Sequence, residues 1–225
     1  MSQEIKQYPL CLMLTVRDMA KSLAFYREML GFELREAWPD KERPLWANLV
    51  LDRQAIMLGQ HMSPDDVKKW MPADSPECAE KLDEAREFGA HKAGIGMVAY
   101  VAVPDVDAFH ARLVKRGVKA SAPKTQFYGQ RDFTIADPDG YRLTLYTLVA
   151  LSTCQSCSMP LTDAKPGQMF CNYCVDEHGE LKPYDAILEG CINGYFIPMQ
   201  KMNRPDAERA ARELLAKQPA WAGRK

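Results

Sequence analysis

The stretches LTVRDMAKSLAFYREMLGFEL, residues 14–34, and VAVPDVDAFHARLVKRGVKA, residues 101–120, decide the fold of this chain. Each runs from a strand-like segment through V-x-D into a helical segment, and then through a glycine toward another strand. Asp18 and Asp105 are placed to cap the two helices, because an aspartate side chain accepts the free N–H groups of a first turn. Such an internal repeat predicts that the front part of the chain contains two copies of one supersecondary unit.

Strand-like segments follow each of these helices. They lie at residues 32–37, 45–51 and 54–58 after the first helix, and near 118–120, at 131–136 and at 141–148 after the second. The last two are joined by the turn sequence D-P-D-G at 137–140. We therefore predict an α+β fold in which two paired βαβββ modules form a cupped mixed sheet. The intervening residues 60–94 are predicted to hold helices at 64–70 and 77–88, as a lid or as irregular surface structure.

The cysteines Cys154, Cys157, Cys171 and Cys174 have the spacing C-x2-C-x13-C-x2-C. Two such pairs place four thiolates around one tetrahedral ion and leave no open position, which predicts a structural rather than a catalytic Zn²⁺. We therefore divide the chain into a front domain, residues 1–150, and a zinc ribbon with a C-terminal helical segment, residues 151–225.

The bulk composition excludes several functional classes. The 225 residues are 47% hydrophobic and 26% charged with a net charge of −1, as in an ordinary globular protein. No apolar run reaches the roughly 20 residues of a membrane span, and the start MSQEIKQYPL lacks the pattern of a signal peptide. Balanced charge disfavours nucleic-acid binding. Seven cysteines with a zinc-type spacing suit a reducing compartment, so we expect a cytoplasmic protein.

Two motifs of the front part resemble the vicinal oxygen chelate superfamily, which includes glyoxalase I, extradiol dioxygenases and the fosfomycin- and bleomycin-resistance proteins. They are VRDMAKSLAFYREMLGF, residues 16–32, and YGQRDFTIADPDGYRLTL, residues 128–145, and the resemblance covers residues 8–149. It is closest to the bleomycin-resistance and glyoxalase-like branch. The segment CQSCSMPL, residues 154–161, resembles a zinc-ribbon family that usually has glycine where Ser158 stands.

The resemblance implies four metal-ligand positions in the front domain. Catalytic members of the superfamily hold a divalent ion with histidine and glutamate side chains on four strands. In this chain those positions fall on Cys11, Met57, Val98 and Thr144. Hard and borderline ions prefer carboxylate or imidazole ligands, which these residues do not supply. We therefore expect no catalytic metal in the front domain.

Without a metal ion, the cupped sheet of the front domain is expected to form a small-molecule pocket. Side-chain alternation along the strands, with aromatic residues as walls, predicts the lining Cys11, Met13, Trp46, Met57, Val98, Tyr100, Phe133, Thr144 and Tyr146. The alternative is that these side chains fill the core of the sheet. His61 and His91 are candidates for a general acid or base at the mouth of the cup, and the commoner alternative is an exposed loop histidine.

The preferred hypothesis is a small-molecule-binding protein of the glyoxalase/bleomycin-resistance type with a structural zinc ribbon. The ribbon is expected to offer a contact surface to a protein partner, and the resemblance implies a homodimer in which strands exchange. One alternative is a metal-dependent lyase or dioxygenase-like enzyme with displaced ligands. Another is a ligand-sensing regulator whose ribbon contacts a partner or nucleic acid.

Overall fold

The chain folds into two compact units. The structure is a computed structural model that describes residues 11–224. The first unit comprises Met1–Ala122 and Phe133–Leu145, and the second comprises Pro123–Asp132 and Tyr146–Lys225. This division differs from the sequence-based one in assigning Pro123–Asp132 and residues 146–150 to the second unit.

The first βαβββ module contains one helix and four strands. Strand β1 is Leu12–Val16, helix α1 is Met19–Ala24 with a π-helical continuation Phe25–Met29, and the remaining strands are β2 Glu33–Trp38, β3 Trp46–Leu51 and β4 Gln54–Gln60. The sheet order is β1-β4-β3-β2. Strand β1 is parallel to β4, whereas β2, β3 and β4 form an antiparallel meander. The predicted order of elements is therefore present, and each predicted strand lies within a few residues of its observed bounds.

The helix of this module begins and ends as its sequence requires. The carboxylate of Asp18 accepts the N–H of Lys21 at 3.0 Å and caps the first turn. Gly31 has a φ of 86°, a left-handed conformation that ends the helix at no steric cost. Between these two residues one face of the helix, including Tyr26 and Leu30, is buried against the sheet.

The second module repeats this arrangement. It consists of β5 Val98–Ala102, α4 Val106–Lys115, β6 Lys124–Thr125, β7 Gln130–Ala136 and β8 Arg142–Leu148, with the sheet order β5-β8-β7-β6. The strand predicted near residues 118–120 does not form. Only a single bridge, Ala120 to Ile135, forms there, and the edge strand is β6.

The segment between the modules forms two helices, α2 Pro64–Trp70 and α3 Pro76–Ala90. Ser63 and Asp66 form a capping box at the start of α2. The two helices share a small apolar cluster built on Val67, Cys78 and Ala85.

The D-P-D-G turn between β7 and β8 joins the two modules of the first unit. Asp137 accepts the N–H groups of Asp139, Gly140 and Tyr141 through Oδ1, each at 2.9 Å. Its Oδ2 accepts the hydroxyl of Tyr26 on α1 at 3.0 Å, and the hydroxyl of Tyr141 reaches the Thr15 carbonyl on β1 at 3.0 Å. Buried side chains of both modules form one apolar core around this junction.

The second unit is built from the cysteine-bearing loops and two helices. Helix α5 is Tyr184–Cys191 with a π-helical continuation Ile192–Phe196, helix α6 is Arg204–Ala216, and a 3-10 turn follows at Pro219–Trp221. Ala207, Ala211 and Leu215 of α6 are buried in a core that includes three of the cysteines. Within the described residues 11–224, every helix is too short or too polar to cross a membrane.

Candidate metal centre and ligand-binding face

Four cysteine side chains of the second unit converge on one point. The Sγ atoms of Cys154, Cys157, Cys171 and Cys174 all lie within 4.8 Å of one another. Those of Cys157 and Cys171 are 3.7 Å apart. A tetrahedron of metal–sulfur bonds of about 2.3 Å has edges of about 3.8 Å, so the cluster fits a single four-coordinate ion. The sequence therefore identified a group of side chains that the fold does bring together.

Tight turns aim these sulfur atoms at one another. In the first pair, the N–H of Ser158 donates to the Cys154 carbonyl at 2.9 Å, and in the second the N–H of Cys174 donates to the Cys171 carbonyl at 2.9 Å. Ser158 has a φ of 65°, in the left-handed region that favours glycine. The serine therefore forms the turn that glycine usually forms, at the cost of local backbone strain.

Hydrogen bonds among the thiols shift the pKa values of neighbouring cysteines in opposite directions. Donation by the thiols of Cys157 and Cys174 lowers the pKa of Cys154 well below its usual range. The N–H of Cys171 also donates to the Cys154 sulfur at 3.3 Å. The shared proton raises the pKa of Cys157. A nearby cation favours the thiolate form of a cysteine, so four converging cysteine side chains are chemically suited to metal binding.

The first sheet of the front unit has one face in the core and one face open. Leu14, Leu49 and Leu58 belong to the covered face and are fully buried. Because side chains alternate along a strand, their neighbours point the other way. The strand register sets those neighbours in two rows, one of Met13, Met57, Asn48 and Glu36 and the other of Thr15, Gly59, Trp46 and Trp38.

This open face is apolar and partly exposed. Met13 is 57% exposed and Trp38 is 62% exposed. A Cβ on Gly59 would lie 2.5 Å from the terminal methyl carbon of Met13, so the glycine leaves room for that side chain. The Oδ1 atom of Asn48 is buried and has no hydrogen-bond partner among the described residues. A face of this kind offers stacking surface, flexible thioethers and one unsatisfied acceptor.

The second sheet also has an uncovered face. Val98 and Tyr100 alternate with the buried Ala99 and Val101 along β5, and Tyr100 is 56% exposed. The hydroxyl groups of Thr134 and Thr144 lie 3.0 Å apart and are hydrogen-bonded across β7 and β8.

Phe133 does not belong to the predicted pocket lining. Its ring is 1% exposed and packs edge-on against His110 of α4, with 5.0 Å between the centroids. Phe133 directly precedes Thr134, so the two side chains lie on opposite faces of the strand. Phe133 is therefore a core residue. Cys11 lies half-buried just before β1, and Tyr146 lies in the part of β8 that belongs to the second unit.

The comparison with family models agrees with this architecture. Residues 10–145 match the model of the Glyoxalase/Bleomycin resistance protein/Dioxygenase superfamily. The chain belongs to this superfamily. No curated protein sequence matches the chain significantly.

Several solved structures are similar to the glyoxalase-superfamily part of the chain. A glyoxalase/bleomycin resistance protein from Streptomyces sp. CB03234 is 24% identical, with 61% of this chain and 97% of that chain covered and a TM-score of 0.41. The antibiotic-binding protein TnmS3 from the same organism is 23% identical, with coverages of 64% and 97% and a TM-score of 0.41. A superfamily member from Sphaerobacter thermophilus DSM 20745 is 23% identical, with coverages of 64% and 98% and a TM-score of 0.42.

The two candidate histidines of the glyoxalase-superfamily domain lie at a helix end that Arg17 contacts. Arg17 donates to the carbonyls of Phe88 and His91 at 3.3 and 3.0 Å, and to Asp139 at 3.4 Å. Its guanidinium also lies over the Phe88 ring at 4.6 Å. Free carbonyls at a helix C-terminus attract a cation, so Arg17 fastens the end of α3 to the domain.

His61 and His91 both take part in this attachment. The His61 ring lies 4.9 Å from the Phe88 ring, and burial together with the nearby Arg17 charge lowers its pKa, so the ring is neutral at neutral pH. His91 is exposed and contributes its backbone carbonyl. Packing and capping therefore explain where both histidines lie.

Three residues of the candidate site were missed from the sequence. Trp38 and Asn48 enter the open face through the pairing of β2 and β3, and Arg17 binds a helix end more than seventy positions away. Counting alternate residues back from the Asp52 turn would have placed Asn48 opposite Met57, because a hairpin fixes the register. The partners of Arg17 depend on tertiary contacts, for which the sequence carries no local signal.

Proposed function

We propose that the glyoxalase-superfamily domain binds a small organic molecule on its open sheet faces, without a metal ion in that domain. A structural Zn²⁺ in the four-cysteine site stabilises the second unit. The ligand class is a flat, largely apolar molecule that carries a hydrogen-bond donor. One observation carries this proposal: alternation along the strands leaves Met13, Trp46 and Tyr100 on uncovered faces, outside the core.

The chemistry of these faces supports the ligand class. Trp38 and Trp46 are cross-strand partners and offer ring surface against which an aromatic group stacks. Met13 and Met57 are paired neighbours with flexible thioether chains that adapt to an irregular ligand. The Asn48 Oδ1 atom is the acceptor for the donor group, since leaving it unsatisfied costs about 1–3 kcal/mol.

Ligand binding is tested with a matched pair of tryptophan variants. A panel of polycyclic aromatic amines and amides is titrated into the full chain, and displacement of anilinonaphthalene sulfonate is followed by fluorescence. Trp46→Ala should weaken binding about tenfold or more, given the roughly 1–3 kcal/mol of a stacked ring. Trp70→Ala is the control, because Trp70 is 68% exposed on α2 and outside the open face. Equal effects of the two variants would contradict the proposed surface.

The same preparation tests the metal-free assignment of the front domain. Ni²⁺, Fe²⁺, Mn²⁺ and Mg²⁺ are added with a thiohemiacetal or a catechol as substrate. Metal-dependent turnover would overturn the binding proposal in favour of a lyase or dioxygenase.

A structural Zn²⁺ accounts for the cysteine cluster. Cys154, Cys157, Cys171 and Cys174 would hold the ion with four thiolates, and the ion would join the loops to the core of α5 and α6. Metal analysis of the full chain should give about one zinc per chain. Cys171→Ser should lose most of the bound metal and unfold the second unit, whereas Cys78→Ser, which changes a buried cysteine of the first unit, should keep the metal. Metal retained by Cys171→Ser would refute the assignment.

We further propose that a second copy of the chain covers part of the open faces. Met13 and Trp38 are both exposed on the open face of the first sheet, which is unusual for large apolar side chains. Sedimentation equilibrium should show a dimer that Met13→Glu dissociates. A monomer at all concentrations would restrict the open faces to ligand binding.

A further inference from the structure

A buried hydroxyl group lies beside the four sulfur atoms. Ser156 is 0% exposed, and its Oγ atom has no hydrogen-bond partner among the residues that the structure describes. Burying a hydroxyl without a partner is unfavourable, so natural structures rarely keep such a group without a use for it. The metal site therefore has a polar group in its surroundings that the four ligands do not explain.

Ser156 lies inside the first cysteine turn, two residues after Cys154 and directly before Cys157. Two sulfur atoms of the cluster already receive backbone donors: the N–H of Cys171 donates to Cys154 at 3.3 Å, and the N–H of Met159 donates to Cys157. The Ser156 hydroxyl is a further donor, buried within this turn, that is available to a ligand sulfur.

Burial of this position is specific to the first cysteine pair. The corresponding position of the second pair is Tyr173, which is 74% exposed. The difference comes from the C-terminal 3-10 turn: the indole N–H of Trp221 donates to the Ser156 carbonyl at 3.0 Å, and the N–H of Ala220 donates to the Gln155 carbonyl at 3.1 Å. This turn covers Ser156 and excludes water as its partner.

We propose that Ser156 is a positioning residue of the metal site, whose hydroxyl donates a hydrogen bond to one of the metal-bound thiolates. The inference rests on the metal site proposed above. A neutral thiol is a weak acceptor, whereas a metal-bound thiolate carries negative charge and accepts strongly. Four thiolates on a divalent ion leave two excess negative charges in a buried site, and the hydroxyl stabilises one of them. A metal-bound thiolate would be the acceptor that the Ser156 hydroxyl needs.

The test compares Ser156→Ala with Ser152→Ala in the full chain. Both variants remove one hydroxyl from the same unit, but Ser152 is exposed. Zn²⁺ affinity is measured by competition with a chromogenic chelator, and Co²⁺ replaces Zn²⁺ for absorption spectra. Ser156→Ala should lower Zn²⁺ affinity about tenfold, as other outer hydrogen-bond partners of metal ligands do. It should also move the sulfur-to-cobalt charge-transfer band to lower energy, because the thiolate loses a donor. Ser152→Ala should change neither.

The outcomes separate this inference from the proposal on which it rests. If the wild-type chain takes up neither Zn²⁺ nor Co²⁺, the metal site itself is refuted. If the wild type binds metal and Ser156→Ala matches Ser152→Ala in affinity and spectrum, only the role of Ser156 is refuted. Circular dichroism of both metal-bound variants checks the fold. Should Ser156→Ala misfold, Ser156→Thr, which keeps the hydroxyl, must retain the wild-type charge-transfer energy for the inference to stand.

Discussion

The junction between the two βαβββ modules gives a prediction that the structure makes quantitative. Tyr26 is 0% exposed, and its hydroxyl donates to the Asp137 carboxylate at 3.0 Å. Tyr26→Phe keeps the ring and removes the donor to a buried charge. A hydrogen bond to a charged group contributes about 1.5–3 kcal/mol, so the variant should lose about 2 kcal/mol of unfolding free energy at neutral pH.

Tyr141→Phe is the matched control. The Tyr141 hydroxyl donates to the neutral carbonyl of Thr15 at the same distance, 3.0 Å, and Tyr141 is 8% exposed. A hydrogen bond to a neutral acceptor contributes about 0.5–1.5 kcal/mol. The cost of Tyr26→Phe should therefore exceed that of Tyr141→Phe, although both changes remove one hydroxyl from the same junction.

The pH dependence of this difference follows from Asp137. Burial raises the pKa of its carboxyl above the usual value, although the Tyr26 hydroxyl and the turn N–H groups oppose the rise. A raised folded pKa means that stability is highest while the carboxyl is protonated and falls as the pH rises through that pKa. Removing the Tyr26 donor raises the pKa further. The cost of Tyr26→Phe should thus be largest at neutral pH and should shrink in acid.

Urea unfolding measures these differences. Tryptophan fluorescence reports the first unit, which holds Trp38, Trp46 and Trp70 of the four tryptophans. Unfolding free energies of the three proteins are compared at neutral pH and at the lowest pH at which all remain folded. Equal costs for the two variants, or a cost of Tyr26→Phe that grows in acid, would refute the assignment of Asp137 as a buried carboxylate held by Tyr26.

Three further predictions concern other parts of the chain. Ser158→Gly should stabilise the second unit by about 1 kcal/mol in thermal unfolding, because it relieves the φ of 65°, whereas Gly179→Ala, at a φ of 83°, should destabilise it by a similar amount. Arg17→Lys keeps the charge but loses the guanidinium contacts to the Phe88 and His91 carbonyls. Limited proteolysis should therefore cut residues 61–97 faster in this variant than in the control Arg53→Lys. Equal rates of cutting would count against the attachment of α3 by Arg17. NMR titration should give the His61 ring a pKa below its usual value, and this pKa should rise in Arg17→Ala. Because the unfolded chain binds the imidazole proton more tightly than the folded chain, the unfolding free energy should fall as the pH drops below about 6.5.

The elements that the sequence predicted well are those fixed by local chemistry. Asp18 and Asp105 cap the helices that the V-x-D motifs indicated, and D-P-D-G forms the turn at Asp137. The four cysteines converge because each pair is held by its own tight turn. The strand predicted near 118–120 failed because an edge strand is defined by its partner, and β7 pairs with Lys124 and Thr125 instead.

The candidate open face shows how the prediction of a strand's faces depends on its register. Thr144 was placed by counting from the D-P-D-G turn, and a turn fixes the register of its strands. Phe133 was chosen for its ring rather than its register, and a shift of one residue moves a side chain to the other face of the sheet. Its neighbour Thr134 occupies the face for which Phe133 was proposed, where it bonds Thr144.

The burial of Ser156 could not be predicted from the sequence, because Ser156 and Tyr173 occupy the same position in two similar cysteine turns. Both residues directly precede the second cysteine of a C-x2-C pair, yet one is fully buried and the other is largely exposed. The cause is Trp221, which is 65 positions from Ser156 and covers only the first turn. The ligands of the metal site could therefore be recognised from spacing alone, whereas the polar surroundings that tune them depend on where the C-terminal turn packs. Removing the Trp221 donor should accordingly weaken metal binding through Ser156, so the effects of Trp221→Phe and Ser156→Ala on Zn²⁺ affinity should be less than additive.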